Sequence, residues 1–136
     1  MAANLELVKS IFAEWEQGDF SSSEWADPEI ELVMIGGVNA GTWQGRDKIA
    51  EGWGEMLSAW EHLRAVPERF HELEDGRVLV LLRNTGRGKG SGIDIRELSR
   101  SANVFTIRNG KVTSLVAYWD REQAISDLGL DDRMEA

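Results

Sequence analysis

The sequence predicts an α+β fold, in which a curved antiparallel β-sheet carries N-terminal helices over its concave face. Two observations support this prediction. Amphipathic helical patterns occupy the first half of the chain, whereas the pattern from His62 onward is that of strands. One strand pattern, residues 93–107, exceeds the usual length of about 3–10 residues, and long antiparallel strands twist and bend. A bent sheet beneath helices encloses a cone, and we expect the functional site inside it.

The first helical pattern covers residues 5–15. Its apolar residues recur every three or four positions and form one stripe, which consists of Leu5, Val8, Ile11, Phe12 and Trp15. A short second helix is expected near residues 22–25. Asp27 and Pro28 then favour extended backbone, because the residue before a proline avoids the helical region. The first strand is therefore predicted over residues 29–35.

Another amphipathic helix is predicted over residues 46–60, after a glycine-containing loop over 36–45. Gly52 and Gly54 lie inside this helix, and each costs about 1 kcal/mol relative to alanine. That cost is understandable where the helix lies very close to a neighbour. We therefore expect close packing on the sheet, or a bound ligand beside Trp53, which stands between the two glycines.

The second half of the chain reads as consecutive strands. They are predicted over residues 62–73, 78–82, 93–107 and 112–119, with a short helix after Asp120. Asn109-Gly110 between the last two strands is a strong hairpin signal, because both residues accept the positive φ of a type I′ turn. No repeat, linker or change of composition interrupts the chain, so we expect one domain over residues 1–136.

The composition excludes several classes of partner. The formal net charge is -9, and such a chain repels phosphate backbones, so we expect neither nucleic acid nor a membrane surface as a partner. The chain has no cysteine, which excludes disulfides and thiolate metal sites. No apolar run approaches the ~20 residues that span a bilayer, and no N-terminal signal pattern is visible. We therefore predict a cytoplasmic protein.

The histidines and the glycine tract indicate neither a metal nor a cofactor. His62 and His71 are the two histidines, and they lack the spacing of zinc ligands. Glycines alternate over residues 86–92, but a strand follows them instead of a helix, so they predict a turn and not a phosphate-binding loop. We expect no metal and no cofactor.

Alternation within residues 93–107 predicts which side chains face the interior of the cone. One face is partly polar and carries Glu97, Ser101, Asn103 and Phe105. If this face lines the cone, polar groups lie beside an apolar end. An enclosed Glu97 is a candidate general acid or base, and Asn103 is a candidate for polarising a carbonyl group. The alternative is that this face is solvated or lies in a dimer interface.

Two further charged residues have alternative roles. Asp120 is either an acid–base catalyst or the cap of the terminal helix, since Asp120 and Gln123 resemble a capping box. Arg83 follows the apolar run 78–82 and is either an edge charge or a buried cation inside the cone. Because that run is apolar on both faces, its alternation does not decide between them.

Six short segments occur in an order that is typical of one family. They are Glu16-Gln17-Gly18-Asp19, Trp25-Ala26-Asp27-Pro28, Trp43-Gln44-Gly45-Arg46, Gly86 to Gly92, Asn109-Gly110-Lys111-Val112 and Tyr118-Trp119-Asp120-Arg121. In these segments the chain resembles the SnoaL-like branch of the NTF2-like superfamily, whose cone fold is shared with ketosteroid isomerase. The resemblance implies a homodimer through the outer sheet face. It implies no single reaction, because the superfamily includes isomerases, cyclases, epoxide hydrolases and non-catalytic binders.

The resemblance carries over only part of the ketosteroid isomerase site. Asn103 falls at one oxyanion donor, whereas Ile11 and Val33 fall at the other donor and at the general base. Asp120 falls near the late aspartate that acts as the acid and base in polyketide cyclases. The same register places three further side chains inside or at the edge of the cone: Leu115, Ala117 and Trp119.

We predict an apolar small molecule as the ligand, and three functions remain open. An acid–base isomerase, cyclase or hydrolase would use Asp120, Glu97 and Asn103 as catalytic residues. A binding protein would use the same pocket without turnover. In the third alternative the cone is filled by its own side chains. The residues expected to contact a ligand are Trp15, Trp53, Arg83, Ser101, Phe105, Leu115 and Trp119.

Overall fold

In the described part of the chain, six strands form one sheet in the order β2-β1-β6-β5-β4-β3, and three helices pack on it. This computed structural model describes residues 2–17, 19, 24–36, 41–58, 60–73, 76–88 and 100–129. The elements are α1 (Ala2–Trp15), β1 (Ala26–Ile35), β2 (Gly41–Gln44), α2 (Arg46–Ser58), β3 (Trp60–Glu72), β4 (Val78–Gly88), β5 (Arg100–Arg108), β6 (Lys111–Tyr118) and α3 (Arg121–Asp127). None of the described helices is long and apolar enough to cross a membrane.

The predicted α+β cone is confirmed, since the sheet curls into a half-barrel. β3 to β6 are antiparallel neighbours, as expected for strands joined in sequence. β1 instead pairs with β6 in parallel, from Glu31 beside Ser114 to Ile35 beside Tyr118. No hairpin joins these two strands, so no turn imposes an antiparallel direction on them, and the sheet is mixed.

The expectation of a loop over residues 36–45 is wrong at its end, where β2 forms. This strand pairs with β1 and places Trp43 opposite Leu32. β2 is only four residues long and begins at a glycine, so its alternation is too short to be recognised in the sequence. The short helix expected near residues 22–25 falls mostly outside the described residues.

β4 is longer than the sequence predicts. The apolar run ends at Leu82, but the polar residues after it continue the ladder with β3 until Gly88 lies opposite Trp60. The first part of the glycine tract 86–92 is therefore strand. Residues 89–99 lie outside the described residues, and so does the predicted start of the next strand at residue 93.

The apolar stripe of α1 covers the inner face of the sheet. The ring centroid of Phe12 lies 5.0 Å from that of Trp15 and 5.9 Å from that of Phe105. Phe70 of β3 meets the same Phe12 ring edge-on, again at 5.9 Å, and Trp25 meets Trp15 at 5.8 Å. Such edge-on pairs add to the gain from burying apolar area. The predicted stripe is thereby confirmed as the face of α1 that meets the sheet.

The predicted hairpin between β5 and β6 is confirmed. Asn109 and Gly110 have φ angles of 52° and 76°, in the left-handed region that a type I′ turn requires. The turn sets a register in which Phe105 lies opposite Leu115. On its other side β5 pairs with β4, so β5 lies inside the sheet with a neighbour along both edges.

A second, smaller core lies on the outer face of the sheet, beneath α3. It consists of Leu79, Leu81, Ala102, Val104, Tyr118 and Ala124. Arg121 of α3 reaches back to the sheet, where its Nη2 donates to the carbonyl oxygen of Leu82 at 2.8 Å and to Oε1 of Glu68 at 2.5 Å. Glu68 lies at an irregularity of the β3–β4 ladder, between Pro67 and Arg69. Arg121 thus ties α3 to both strands.

Two ionisable groups of the outer face have shifted pKa values. The hydrogen bond from Arg121 lowers the pKa of Glu68, and the charges of Arg121, Arg83 and Arg100 lower it further, against the opposing effect of burial. Burial raises the pKa of the Tyr118 phenol, and the nearby carboxylate of Asp127 raises it further. The outer face therefore favours an ionised Glu68 and a neutral Tyr118.

Gly54 of α2 does not lie at a close contact. A Cβ atom built on this residue meets no atom within 4 Å. The expectation that the helix glycines mark a very close approach is therefore wrong at Gly54. The surroundings of Gly52 and Trp53 lie outside what the structure describes.

Two glycine-to-alanine substitutions should have opposite effects on stability. Neither Gly54 nor Gly110 has an atom within 4 Å of an added Cβ, so only the backbone conformation matters. Gly54→Ala should raise the free energy of unfolding by about 0.5–1 kcal/mol, because alanine favours the helix. Gly110→Ala should lower it by about 1–2 kcal/mol, because its φ is positive. Urea unfolding measures both, and a stabilising Gly110→Ala would contradict the assigned turn.

The Glu68–Arg121 pair should make stability depend on pH. A lowered pKa means that the ionised Glu68 stabilises the fold above its ordinary value of 4.5, and that this contribution is lost as the pH falls through the lower folded-state value. Glu68→Gln should therefore be less stable than the wild type at neutral pH, by about 1 kcal/mol or less because the side chain is partly exposed. The difference should shrink in acid. Exposed Glu31→Gln is the control, and a pH-independent difference for Glu68→Gln would contradict the pair.

Candidate functional site

Asn103 lies in the middle of the inner face, in a row of side chains from four strands. β4 places Val80 on one side of it, and β6 places Ala117 on the other, with Met34 of β1 beyond. Residues opposite each other in a sheet project from the same face. Val80 and Met34 belong to the core that α1 covers. Asn103 therefore projects inward, as the alternation predicts.

The Asn103 side chain is buried among apolar neighbours. The residue is only 6% exposed, but its amide is not among the fully enclosed polar groups that lack a partner in the described part of the chain. An amide offers two donors and one acceptor, whereas Val80 and Ala117 beside it offer no polar side-chain group. A ligand oxygen on the inner face could accept a hydrogen bond from this amide.

Ser101 adds a second polar group to the inner face. It lies opposite Leu82 of β4, which belongs to the inner core, and it is buried. Ser101 already takes part in an interaction within the chain. Two residues apart on β5, Ser101 and Asn103 share one face, so the structure brings these two predicted residues together.

The apolar end of the inner face is closed by packed side chains. Phe105 and Leu115 lie opposite each other and are buried. Trp15 of α1 covers them, and its ring centroid lies 6.3 Å from that of Phe105. These three residues form core in the structure, so their predicted contact with a ligand stays a prediction. They close the cone on one side of Asn103.

Trp119 and Asp120 directly follow β6 and precede α3. Trp119 is 39% exposed, and its Cβ would lie 3.3 Å from a Cβ added to Gly36. Asp120 is exposed, and its Oδ1 accepts a hydrogen bond from the backbone N–H of Glu122 at 3.0 Å. The predicted role of Asp120 as the cap of α3 is confirmed. Its catalytic role stays a prediction.

Arg83 lies on the outer face, so of its two predicted alternatives the buried cation inside the cone is wrong, and it is not placed to contact a ligand there. Leu82 belongs to the inner core and Leu81 to the outer core. Because side chains alternate along a strand, the next residue projects outward. Arg83 is exposed there and lies opposite Arg100 of β5. The sequence conceals this because the run before Arg83 is apolar on both faces.

The structure does not describe the side chains of two predicted site residues. Glu97 lies outside the described residues, as does the side chain of Trp53, so their roles stay predictions. In the ranges that the structure describes, no group of three or more His, Cys, Asp or Glu side chains could hold a metal ion.

Val80 and Met34 belong to the same row of inward side chains as Asn103, which the sequence alone did not predict. Both lie in predicted strands, but only the pairing of β1 with β6 brings Met34 beside Ala117. These strands lie far apart in the chain, and no local pattern specifies that they pair. The alternating stripe Ile30, Leu32 and Met34 indicates burial but not the neighbour.

A comparison with protein-family models identifies the family of this chain. The model of the SnoaL-like domain matches residues 8–115. The chain belongs to the SnoaL-like family. The resemblance carried by the six short segments is thereby confirmed. Among curated protein sequences, none matches the chain.

Solved structures share this fold. Bal32a, from a soil-derived mobile gene cassette, is 25% identical with a TM-score of 0.70, over 85% of this chain and 88% of that one. TerC, co-crystallized with polyporic acid, is 22% identical with a TM-score of 0.72, over 91% and 96% of the two chains. A protein assigned as a SnoaL-like polyketide cyclase, from a Jannaschia species, is 19% identical with a TM-score of 0.72, over 92% and 90%.

Two substitutions of Asp120 test whether its contribution to stability is that of a helix cap. Asp120→Ala should lower the free energy of unfolding by about 0.5–2 kcal/mol, because the N–H of Glu122 loses its acceptor. Asp120→Asn should keep most of the stability, since asparagine caps a helix about as well as aspartate. Urea unfolding followed by circular dichroism measures both. Equal losses for the two variants would show that the carboxylate does more for stability than capping.

Proposed function

We propose that this SnoaL-like protein binds an apolar small molecule on the inner face of its sheet and acts on it by acid–base chemistry. The observation that carries the proposal is the inward-facing amide of Asn103, which lies on a nearly buried residue between the apolar Val80 and Ala117. Such a surface suits a molecule that is mostly apolar and bears one carbonyl or hydroxyl group. The reaction would be an isomerisation, cyclisation or hydrolysis.

The proposed role of Asn103 is to hold the ligand's oxygen. As a neutral donor in apolar surroundings, it would bind an oxygen more strongly as negative charge develops on it. A proton would then have to leave or reach a neighbouring carbon or oxygen of the ligand. Asp120 and Glu97 are the candidates for carrying it.

The kinds of molecule seen with related folds support a small organic ligand. TerC was co-crystallized with polyporic acid, and the Jannaschia protein is assigned as a polyketide cyclase. These facts concern proteins less than 25% identical to this chain. For this chain they make an organic molecule of similar apolar character a reasonable first probe.

Binding without turnover is the second candidate function. It is favoured by the exposed position of Asp120 and by its hydrogen bond to the N–H of Glu122, which already give that carboxylate a structural role. In this case Asn103 would bind the ligand and no residue would move a proton. The two functions share the ligand site and differ only in turnover.

We also propose one domain over residues 1–136 and a cytoplasmic homodimer formed through the outer sheet face. The apolar residues of that face, such as Leu79 and Leu81, are already buried within one chain. A dimer would therefore rely on the polar rim of this face. Sedimentation at micromolar concentration tests it, and a monomer would contradict it.

A matched pair of ligands should reveal the role of Asn103. Acetylnaphthalene carries a carbonyl group that ethylnaphthalene lacks, and the two have nearly the same shape. The wild type should bind the ketone about tenfold more tightly than the hydrocarbon, and Asn103→Leu should abolish that difference. Tryptophan quenching or ligand-observed NMR measures both affinities. Thr106→Val on the same strand is the control, because it removes a hydroxyl away from the Asn103 row.

The outcomes of this titration differ for each function. A preference for the ketone that persists in Asn103→Leu would contradict the role of Asn103. No saturable binding of either probe would favour a cone filled by its own side chains. Turnover is tested by exchange of the ketone's α-hydrogens in deuterated water. Exchange that is faster than in buffer, and that is lost in Asp120→Asn or Glu97→Gln, supports the enzyme, whereas binding without exchange supports the binding protein.

A further inference from the structure

Positive charge is concentrated on the outer face, away from the inner site. Arg83 of β4 and Arg100 of β5 lie directly opposite each other, and both are exposed. Like charges placed opposite across two strands destabilise a sheet. Glu68 provides a counter-charge, since it lies near enough to both arginines for their charges to lower its pKa. The three residues therefore form one cluster.

Arg121 is the fourth member of this cluster and lies on its buried side. It is only 3% exposed, and its Nη2 donates to both Glu68 and the carbonyl oxygen of Leu82. Its Nε is buried and has no hydrogen-bond partner in the described part of the chain. A guanidinium group has five N–H donors, so Glu68 and Leu82 do not exhaust them.

The charges of the cluster do not balance. Among the described residues, three guanidinium groups lie near one carboxylate, which is an excess of two positive charges. The chain as a whole has a formal net charge of -9, so this cluster is a local exception to its acidic surface. Concentrated charge of this kind attracts ions of opposite sign.

We propose that the cluster of Arg83, Arg100 and Arg121 binds a phosphate group, either as the free anion or as the phosphoryl group of a small molecule. A phosphate group carries about −1.5 to −2 charges at neutral pH, which matches the two uncompensated positive charges. Arginine binds pairs of phosphate oxygens with its planar fork. Arg83 and Arg100 are exposed in the single chain and take the oxygens, whereas the buried Arg121 supports the site without touching the phosphate. The proposal requires that the proposed homodimer leaves Arg83 and Arg100 uncovered. This site is independent of the ligand proposed for the inner face.

Glu68 sets the affinity of the site. Its carboxylate is bound to Arg121 and lies in the field of the same arginines that would hold the phosphate. A glutamate is ionised at neutral pH, and the charges of Arg121, Arg83 and Arg100 lower its pKa, so its carboxylate competes with another anion for these arginines. Glu68→Gln removes the charge and keeps the shape of the side chain, so this variant should bind phosphate more tightly.

Calorimetric titration of the full chain with inorganic phosphate, at constant ionic strength, tests the proposal. The wild type should bind one phosphate per chain in a saturable manner. Arg83→Ala and Arg100→Ala should each weaken binding about tenfold, because each removes a charge-assisted pair of hydrogen bonds, and Glu68→Gln should strengthen it about tenfold. Arg108→Ala is the matched control, since Arg108 is an exposed arginine at the other end of β5. It should leave the affinity unchanged.

Several results would overturn the proposal. One is that the wild type shows no saturable binding of phosphate. Another is that Arg108→Ala weakens phosphate binding as much as Arg83→Ala does, which would indicate attraction to the general positive charge. Sedimentation velocity examines the other possible occupant. If Arg83→Ala dissociates a dimer and phosphate does not bind, these arginines contact a second chain and the proposal is wrong.

A parallel titration with glycerol phosphate distinguishes the two sources of the phosphate group. Tighter binding of the ester than of inorganic phosphate, with the same loss in Arg83→Ala, supports a phosphorylated small molecule as the ligand. Equal or weaker binding of the ester, with saturable binding of inorganic phosphate, supports the free anion. Both results require the same arginines.

Discussion

The alternation of side chains along β5 is the constraint on which the rest of the structure depends. This strand has a neighbour along both edges, so it cannot slip by one residue without exchanging its two faces. Its inward side chains are Ser101, Asn103 and Phe105, and its outward ones include Arg100, Ala102 and Val104. One register therefore holds Asn103 on the inner face, between Val80 and Ala117, and Arg100 on the outer face beside Arg83. Both candidate sites follow from it.

The parts that were predictable from the sequence are those with a local period. The α1 stripe, the Asn109-Gly110 turn and the inward face of Asn103 follow from spacings of a few residues. Relations between distant segments were not predictable. The pairing of β1 with β6, and the contact of Arg121 with Glu68, join residues that no local pattern connects. Glu68 also lies at an irregularity of its ladder, where alternation fails as a guide.

Each face of the sheet contains a buried polar residue. On the inner face it is Asn103, and on the outer face it is Arg121, whose Nε has no hydrogen-bond partner in the described part of the chain. A buried polar group without a partner costs about 1–3 kcal/mol, and the net stability of a domain is only about 5–15 kcal/mol. This cost applies to Nε of Arg121, and it favours a functional interpretation of that group.

α1 and β1, the first two described elements of the chain, contact opposite halves of the sheet. α1 packs on β3 and β4, whereas β1 pairs with β6 and carries β2 at the far edge. α1 and β1 therefore contact different halves of one sheet, although they are consecutive among the described elements of the chain. The inner face is thus bounded by two elements from one short part of the sequence, and the interior depends on both of them.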